Sequence, residues 1–255
     1  MKKVSLIIVA LFVLSYSYAQ EFKIAVSDKN GKFTINVHDC DLQIIGHDGN
    51  EILITAKGYE KPPERAKGLK PLYNSAVDNT GIGLSVQESG GNLTIQKATR
   101  GDIDYTIKIP STMHVSISET NWHGDNFTIE NISGEIEVNA KSSDIKMKGV
   151  SGPVVANTTN GDIDIVYKTL NQEKPNAIKS INGHVDITLP SSAKSSVKLR
   201  AMNGEIFTNF DVAMKTSEDN INVYGGGKIE GAINGGGVEI KLNTINDNIY
   251  LRKAE

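Results

Sequence analysis

The sequence is poor in cysteine, with a single one, Cys40, in 255 residues. One cysteine cannot form an internal disulfide, so the fold must be held together by its core. Alternation around Cys40 places it in or beside a strand. We expect a buried structural thiol there, because a nucleophilic cysteine needs a lowered pKa and an arranged base.

The chain also has no excess of positive charge and few aromatic residues. The chain has 27 Lys and Arg against 30 Asp and Glu, and its net charge is -3. This excludes the basic imbalance of a nucleic-acid-binding protein, so no nucleic-acid partner is expected. Aromatic residues make up 6% of the chain, whereas 24 residues are glycine. The core is therefore predicted to be aliphatic and the turns frequent.

No apolar run is long enough for a membrane-spanning helix, which takes about 20 residues. The clearest apolar run, residues 4–14, follows Lys2 and Lys3 and precedes a small, polar segment that ends at Ala19. This order predicts a signal peptide over residues 1–19, cleaved after Ala19, with an uncleaved anchor as the alternative. We expect an exported protein whose mature chain has no transmembrane segment.

The strongest internal signal is a repeated unit of a turn and a short strand. Four turn positions lie nine residues apart, at Gly134, Ser143, Gly152 and Gly161. Wider-spaced copies follow at Gly183, Gly204, Gly237 and Asn248. A small residue or Asn suits a turn in which φ is positive. After each turn, polar and apolar side chains alternate, so every second one faces the same side of a strand.

This alternation predicts which side chains are buried. One inward column is Ile136, Ile145, Val154, Ile163, Val185, Ile206 and Val238, and a second is Val138, Met147, Ala156, Ile165, Ile187 and Ile240. The outward set is charged: Glu135, Glu137, Asp144, Lys146, Asp162, Asp164 and Asp186. Stacked copies of so short a strand can share one core. We predict an all-β, right-handed parallel β-solenoid; the alternative is a β-sandwich-like stack of antiparallel strands.

Two further features organise the chain. Residues 109–117 and 189–199 echo each other, since in both a strand ends at a proline, Pro110 or Pro190, before a polar turn and a new strand. Residues 57–80 break the periodicity and are predicted to be a surface loop insertion with at most one helical turn. The mature chain, residues 20–255, is predicted to be a single β-repeat domain.

The serial Ser/Asn-Gly-Asp/Glu-Ile units, the strand-Pro-Ser turns and residues 46–52 (GHDGNEI) together resemble the bacterial DUF4097 family of adhesin-like proteins. The resemblance spans residues 33–210 and implies an exported β-solenoid. It gives no functional residues to carry over. The signal peptide that ends in Tyr18-Ala19-Gln20 resembles those of Bacteroidetes, which implies the periplasm or cell surface of a diderm bacterium.

The sequence shows no arranged catalytic or cofactor site. The pairs Asp102/Asp104 and Asp162/Asp164 could serve a glycosidase or hold Ca²⁺, but mixed charges occupy the same slot in other repeats, which is typical of a solvated face. The five histidines lack metal-ligand spacing and are interpreted as surface residues. No nucleophile elbow, P-loop or dinucleotide fingerprint occurs. We expect no enzyme activity, no cofactor and no metal.

One loop departs from the repeat. It carries the only tryptophan, Trp122, beside Asn121, His123 and Asp125. An indole beside amide and carboxylate groups can stack on a sugar ring or on a partner side chain; the alternative is a ring that covers the edge of the solenoid, because a large apolar ring usually contributes packing first. These four residues form the predicted ligand site.

Three function classes remain open. The first is a non-catalytic envelope or surface protein that adheres to or binds an extended glycan or protein, since repeat arrays offer long rigid surfaces. The second is a regulatory or structural component of the periplasm. The third is a carbohydrate-active enzyme on a β-helix, which we expect least because the basic residues are scattered.

Overall fold

The computed structural model describes residues 20–69, 71–72, 76–214 and 228–255. The predicted signal peptide, residues 1–19, lies outside the described residues. Within the described residues the chain forms strands and one short 3₁₀ helix, Glu64–Ala66. None of the described helical segments is long and apolar enough to span a bilayer.

The strands form two sheets. Sheet 1 has ten strands, which are in spatial order β1 (Gln20–Ala25), β4 (Glu51–Lys57), β7 (Asp104–Pro110), β3 (Leu42–His47), β9 (Asn126–Glu130), β11 (Asp144–Val150), β13 (Ile163–Tyr167), β15 (Val185–Leu189), β21 (Ile249–Lys253) and β17 (Ile206–Thr208). The inner strands of this sheet, from β7 through to β17, pair in parallel, whereas β1 and β4 pair antiparallel at one edge.

Sheet 2 has eleven strands. In spatial order they are β18 (Val212–Met214), β19 (Lys228–Ile233), β16 (Ser195–Ala201), β20 (Val238–Thr244), β14 (Asn176–Lys179), β12 (Val154–Asn157), β10 (Ile136–Asn139), β8 (His114–Glu119), β2 (Lys32–Val37), β6 (Asn92–Lys97) and β5 (Leu84–Ser89). Its inner strands are parallel, and β5, β18 and β19 pair antiparallel at its two edges.

The chain alternates between the sheets, so that one strand of each makes a coil. In the middle, equivalent residues of stacked coils lie eighteen positions apart, as in the pairs Ile136–Val154 and Ile145–Ile163. The nine-residue spacing in the sequence is therefore half a coil, and successive copies lie on opposite sheets. The parallel stacking of these coils confirms the predicted β-solenoid over the antiparallel β-sandwich.

Burial follows the predicted alternation with two corrections. The inward positions from Ile136 to Val185 are buried, but they form two facing columns, one from each sheet, rather than one column. Ile206 and Val238 are only half-buried. Ile206 lies on the edge strand β17, and Ile249 of β21 occupies the slot between it and Val185. The buried side chains of both sheets form one hydrophobic cluster from Phe33 to Leu251.

The glycines of the repeat allow neighbouring coils to approach closely and do not adopt positive φ. This corrects the prediction that the turns need positive φ. Gly152 and Gly161 are absent from the residues with positive φ. A Cβ on Gly152 would lie 1.9 Å from the carbonyl oxygen of Gly134, and one on Gly161 would lie 2.0 Å from that of Ser143. Neighbouring coils thus touch backbone to backbone at these turns, and any side chain there would force them apart.

Chain order and spatial order differ at the C-terminal end. Strands β20 and β21, the last in the chain, lie between the coil of β14 and β15 and the coil of β16 and β17. A ladder of asparagine side chains follows the spatial order, with donated hydrogen bonds from Asn182 to Asn160 (2.7 Å), Asn246 to Asn182 (2.6 Å) and Asn203 to Asn246 (2.8 Å). The final coil is therefore interior to the solenoid.

At the N-terminal end, too, chain order and spatial order differ. The coil of β2 and β3, the first in the chain, lies between the coil of β6 and β7 and the coil of β8 and β9. The echo at Pro110 and Pro190 marks these exchanges, because after each proline the chain passes over one slot to start β8 or β16. The Ser111 amide donates to the His47 carbonyl oxygen (2.8 Å), which belongs to the coil that fills the slot.

Candidate functional site

The outer face of sheet 1 carries one straight row of side chains. Each member pairs directly with the next across the ten strands: Glu21, Thr55, Thr106, Gln43, Thr128, Lys146, Asp164, Asp186, Tyr250 and Phe207. We call this set the outer row. At the usual strand spacing it is about 43 Å long. After Glu21 at one end, its composition changes along its length from uncharged polar, through charged, to aromatic.

A cleft of about 960 Å³ lies over the uncharged part of the outer row. Its floor includes Thr55, Thr106, Gln43 and Thr128, from four adjacent strands. Its walls and rim are formed by Gln20, Asp41, Lys57, Gly58, Tyr59, Glu60, Asp104, Asn126 and Lys146. The floor thus offers hydroxyl and amide groups at a regular spacing, and the rim offers charges of both signs.

The wall at Tyr59 is fixed by the predicted loop insertion. The Tyr59 hydroxyl donates to an Asp78 carboxylate oxygen (2.9 Å), and the Thr80 and Gly83 amides donate to the same carboxylate (2.9 and 3.0 Å). Burial alone would raise the pKa of Asp78, but these hydrogen bonds outweigh it and hold the pKa below its usual value. Burial and the neighbouring carboxylate raise the pKa of Tyr59 to about 12, so the phenol remains a donor.

The predicted ligand loop lies next to this cleft and is tied to the turn before β3. Asn121 donates a side-chain hydrogen bond to the Asp39 carboxylate (2.9 Å), and the Asn126 amide donates to the Asp41 carboxylate (2.9 Å). Asn126 and Asp41 both line the cleft. The loop is therefore held in place from both of its ends.

Trp122 does not cover the edge of the solenoid. Its side chain is 59% exposed, and the Lys141 ammonium lies 5.6 Å from the centroid of its ring. The same ammonium donates to the Thr120 carbonyl oxygen (2.8 Å), which fixes it beside the indole. His123 is exposed as well. The structure brings the four predicted residues onto one loop but places none of them in the lining of the cleft.

Asp125 belongs to an acidic group beside the cleft, of which Asp41 and Asp104 line the cleft itself. Partial burial raises the pKa of Asp125, and the nearby carboxylates of Asp41, Asp102, Asp104 and Asp39 raise it further. The predicted pair Asp102/Asp104 is thus part of this group. This acidic group favours cations and hydrogen-bond donors, whereas Lys57 and Lys146 supply positive charge elsewhere on the rim.

The turn that carries Asp39 rests on a buried lysine that the sequence reasoning missed. Lys97 is fully buried, and its ammonium donates to the carbonyl oxygens of His38 (2.7 Å) and Asp39. Only its inward position in the alternation of β6 could have indicated this role. Cys40 beside it is buried, as predicted, and burial raises the pKa of its thiol to about 12.

The second predicted carboxylate pair encloses a histidine. Asp162 Oδ1 lies 3.1 Å from His184 Nδ1, and Asp164 Oδ1 lies 2.9 Å from His184 Nε2. Burial lowers the pKa of His184, but these carboxylates outweigh that effect and raise it above its usual value. Of the five histidines interpreted as surface residues, His123 is exposed and the other four are half-buried.

The far end of the outer row is aromatic. Phe207 stacks on Tyr250 with ring centroids 5.4 Å apart, and the Arg252 guanidinium lies 5.2 Å from the centroid of Tyr250. Arg252 also binds the Asp186 carboxylate through two nitrogen atoms (2.8 Å each to the nearest oxygen). A second cleft of about 470 Å³ includes Phe207, Tyr250 and Arg252 in its lining.

Comparison with known proteins identifies a family. The family model described as Toastrack DUF4097 matches residues 15–252. Among solved structures, a "putative cell adhesion protein" from Clostridium sporogenes is similar at 13% identity and a TM-score of 0.49, over 93% of this chain and 100% of that one. A "putative adhesin" from Bacteroides fragilis is similar at 11% identity and a TM-score of 0.33, over 94% and 98%. No curated protein matches.

Proposed function

Given that the chain belongs to the Toastrack DUF4097 family, we propose that it is an exported, non-catalytic binding protein of the cell envelope that holds an extended glycan along the outer row. The observation that carries the proposal is the cleft of about 960 Å³ over a floor of evenly spaced hydroxyl and amide groups. The family model itself assigns no ligand.

The floor matches the chemistry of a neutral glycan. Sugar hydroxyls both donate and accept hydrogen bonds, and Thr and Gln side chains do the same. Thr55, Thr106, Gln43 and Thr128 come from adjacent strands and so repeat at about 4.8 Å. A polymer that crosses the strands meets an equivalent group at each step, which favours an extended chain over a compact small molecule.

The two flanks supply the contacts that a polar floor lacks. Trp122 presents an exposed indole on the loop beside the cleft, and such a face stacks on a sugar ring. At the other end of the outer row, Tyr250 and Phe207 present a stacked aromatic pair. A ligand long enough to reach from the cleft to this pair gains from both, since linked contacts raise the effective concentration at the second one.

Two carboxylates beside the cleft are engaged as structural acceptors, and a third, Asp104, pairs with Lys57 (3.5 Å), which supports binding without turnover. Asp41 accepts from the Asn126 amide and Asp39 accepts from Asn121. Asp125 has a raised pKa, as a glycosidase acid has, but it is exposed and lies outside the cleft lining. A general acid must lie within hydrogen-bond reach of the bond that it protonates.

The test is a glycan array and calorimetric titration with the mature protein and two matched variants. Thr106→Arg fills the floor of the cleft, and we expect it to weaken glycan binding at least tenfold. Thr94→Arg places the same side chain at an exposed strand position of sheet 2 and should leave binding unchanged. Trp122→Ala should weaken binding several-fold, in line with the loss of one stacking contact.

Several results would reject the proposal. Equal binding by Thr106→Arg and Thr94→Arg would place the ligand elsewhere. Turnover of a polysaccharide that Asp104→Asn or Asp162→Asn abolishes would make the protein an enzyme. Capture of one envelope protein with no glycan bound would favour a regulatory or structural component. The export part is tested separately, by intact-mass measurement of envelope protein, which should begin at Gln20.

A further inference from the structure

A mixed group of nitrogen and oxygen ligands lies beside the outer row, away from the large cleft. One ligand atom from each of Asp162, His184 and Asp247 lies within 4.8 Å of the other two. All three residues are half-buried. They come from three stacked coils, those of β12 and β13, β14 and β15, and β20 and β21.

The imidazole is oriented as it is in metal sites. Asp164 Oδ1 accepts at His184 Nε2 (2.9 Å), which turns Nδ1 towards Asp162. Histidine ligands of metals nearly always donate their other ring nitrogen to such a second carboxylate, which fixes the tautomer and raises the basicity of the ligand. The arrangement of Asp164, His184 and the Nδ1 side is that of a carboxylate–histidine–metal triad.

The distances suit one small divalent ion. Zinc binds histidine nitrogen and carboxylate oxygen at about 2.0–2.2 Å, so two of its ligand atoms lie about 3.4 Å apart in a tetrahedral site. Asp162 Oδ1 and His184 Nδ1 are 3.1 Å apart, which is an ion-pair contact, so an ion bound between them would displace the proton on Nδ1. The Asp247 carboxylate accepts a hydrogen bond from the Asn248 amide (2.6 Å), and one of its oxygens lies within 4.8 Å of both other ligand atoms.

We propose that Asp162, His184 and Asp247 bind a divalent transition-metal ion of the zinc class, with Asp164 as the positioning residue and the fourth position open to solvent. An imidazole with carboxylates selects zinc and its neighbours over calcium or magnesium, which take oxygen ligands only. The ion would link the final coil of the chain to the two coils before it. The proposal stands independently of the glycan.

The test is equilibrium dialysis of the chelator-treated mature protein against zinc, with thermal melting and cobalt absorption alongside. We expect one equivalent of zinc, a rise in Tm that grows with zinc concentration, and visible absorption bands of four-coordinate cobalt. His184→Gln and Asp247→Asn should each weaken zinc binding at least tenfold and remove the rise in Tm. Asp164→Asn should weaken binding about 10- to 100-fold while cobalt still gives its bands.

The matched control is His114→Gln, which removes another half-buried histidine beside a carboxylate, on sheet 2. It should bind zinc as the unchanged protein does. If His184→Gln destabilises the fold without metal, Asp247→Asn decides, because the contact of its side chain is with the adjacent Asn248 amide. No zinc bound at 1 mM, or equal zinc binding by Asp247→Asn and His114→Gln, overturns the proposal.

Discussion

The middle and the two ends of the solenoid are built by different rules. In the middle, from β10 to β13, chain order equals spatial order and the coils repeat every eighteen residues. At each end one coil is displaced, so that β2–β3 and β20–β21 fill interior slots, and antiparallel strands form three of the four sheet edges within the described residues. The fourth edge is β17, which pairs in parallel with β21. The middle shows how a short unit stacks, and the ends show how the stacking order changes where the sheets end.

The largest expected effect compares two residues of one inward column. Ile163 is fully buried between two neighbouring coils, whereas Ile206 lies half-buried on the edge strand β17. Ile163→Asp buries an unpaired carboxylate and should cost about 4 kcal/mol or more. Ile206→Asp should cost about 1–2 kcal/mol, because its carboxylate can reach water. Urea denaturation followed by circular dichroism measures both, and equal losses would contradict the burial difference.

The next comparison is between the first and the last strand. Leu251, four residues from the C-terminus, is fully buried, whereas Ile24 on the edge strand β1 is half-buried. Leu251→Ala should cost about 3 kcal/mol, and Ile24→Ala about 1 kcal/mol. Hydrogen exchange provides a second measurement, in which the β21 amides should be as protected as those of β13. A frayed β21 would refute the interior position of the final coil.

The contact between turns gives a smaller effect. Gly152→Ala places a methyl group 1.9 Å from the Gly134 carbonyl oxygen and should cost about 2–3 kcal/mol through separation of the coils. Gly101→Ala is the matched control, since nothing lies within 4 Å of its Cβ position and its φ is not positive. Thermal melting separates the two. A Gly152→Ala protein as stable as Gly101→Ala would mean that the coils are not in backbone contact.

The asparagine ladder gives an effect of about 1 kcal/mol. Asn182 is an interior rung that donates to Asn160 and accepts from Asn246, whereas Asn203 is the terminal rung that donates to Asn246. Asn182→Ala removes two exposed hydrogen bonds and should cost about 1 kcal/mol, and Asn203→Ala about half as much. Chemical denaturation resolves the pair. The reverse order would contradict the spatial order of the last two coils.

The smallest perturbation tests whether the N-terminal end is as closed as the middle. The Cys40 thiol is 2% exposed, and burial raises its pKa to about 12. A thiol reagent at pH 8 should therefore not modify the folded protein, and the reaction should become complete in denaturant. Rapid labelling under native conditions would show that the turn over Lys97 opens readily.

The sequence predicts the middle of the molecule well because there each residue contacts its counterpart in the next copy. The burial of Ile145 and the outward position of Lys146 both follow from period two. The ends are different, since nothing in the alternation of β20 says which coils it will contact. The similarity between the segments around Pro110 and Pro190 is visible in the sequence. Only the strand pairing shows that the chain passes over one coil position after each proline.

The site was predictable only in part, for a similar reason. Trp122 stood out as a loop residue, and it lies exposed outside the lining of the cleft, so its role in ligand binding stays a prediction. The cleft floor could not be predicted from the sequence. Its residues come together only when β4, β7, β3 and β9 align: Thr55, Thr106, Gln43 and Thr128. Likewise Asp247 meets His184 only through the displaced final coil. Motif spacing along a chain cannot report ligands that converge through long-range pairing.

The interior position of β20 and β21 has a consequence for the order of folding. While the chain is made from its N-terminus, the slot between β15 and β17 has no strand to fill it. The inward side chains of β15 and β17 stay exposed to water until β21 is available. This part of the chain therefore cannot reach its native packing early. Pairing over such sequence distances is slow to form. The native packing around β15 and β17 therefore forms only after β20 and β21 have joined them.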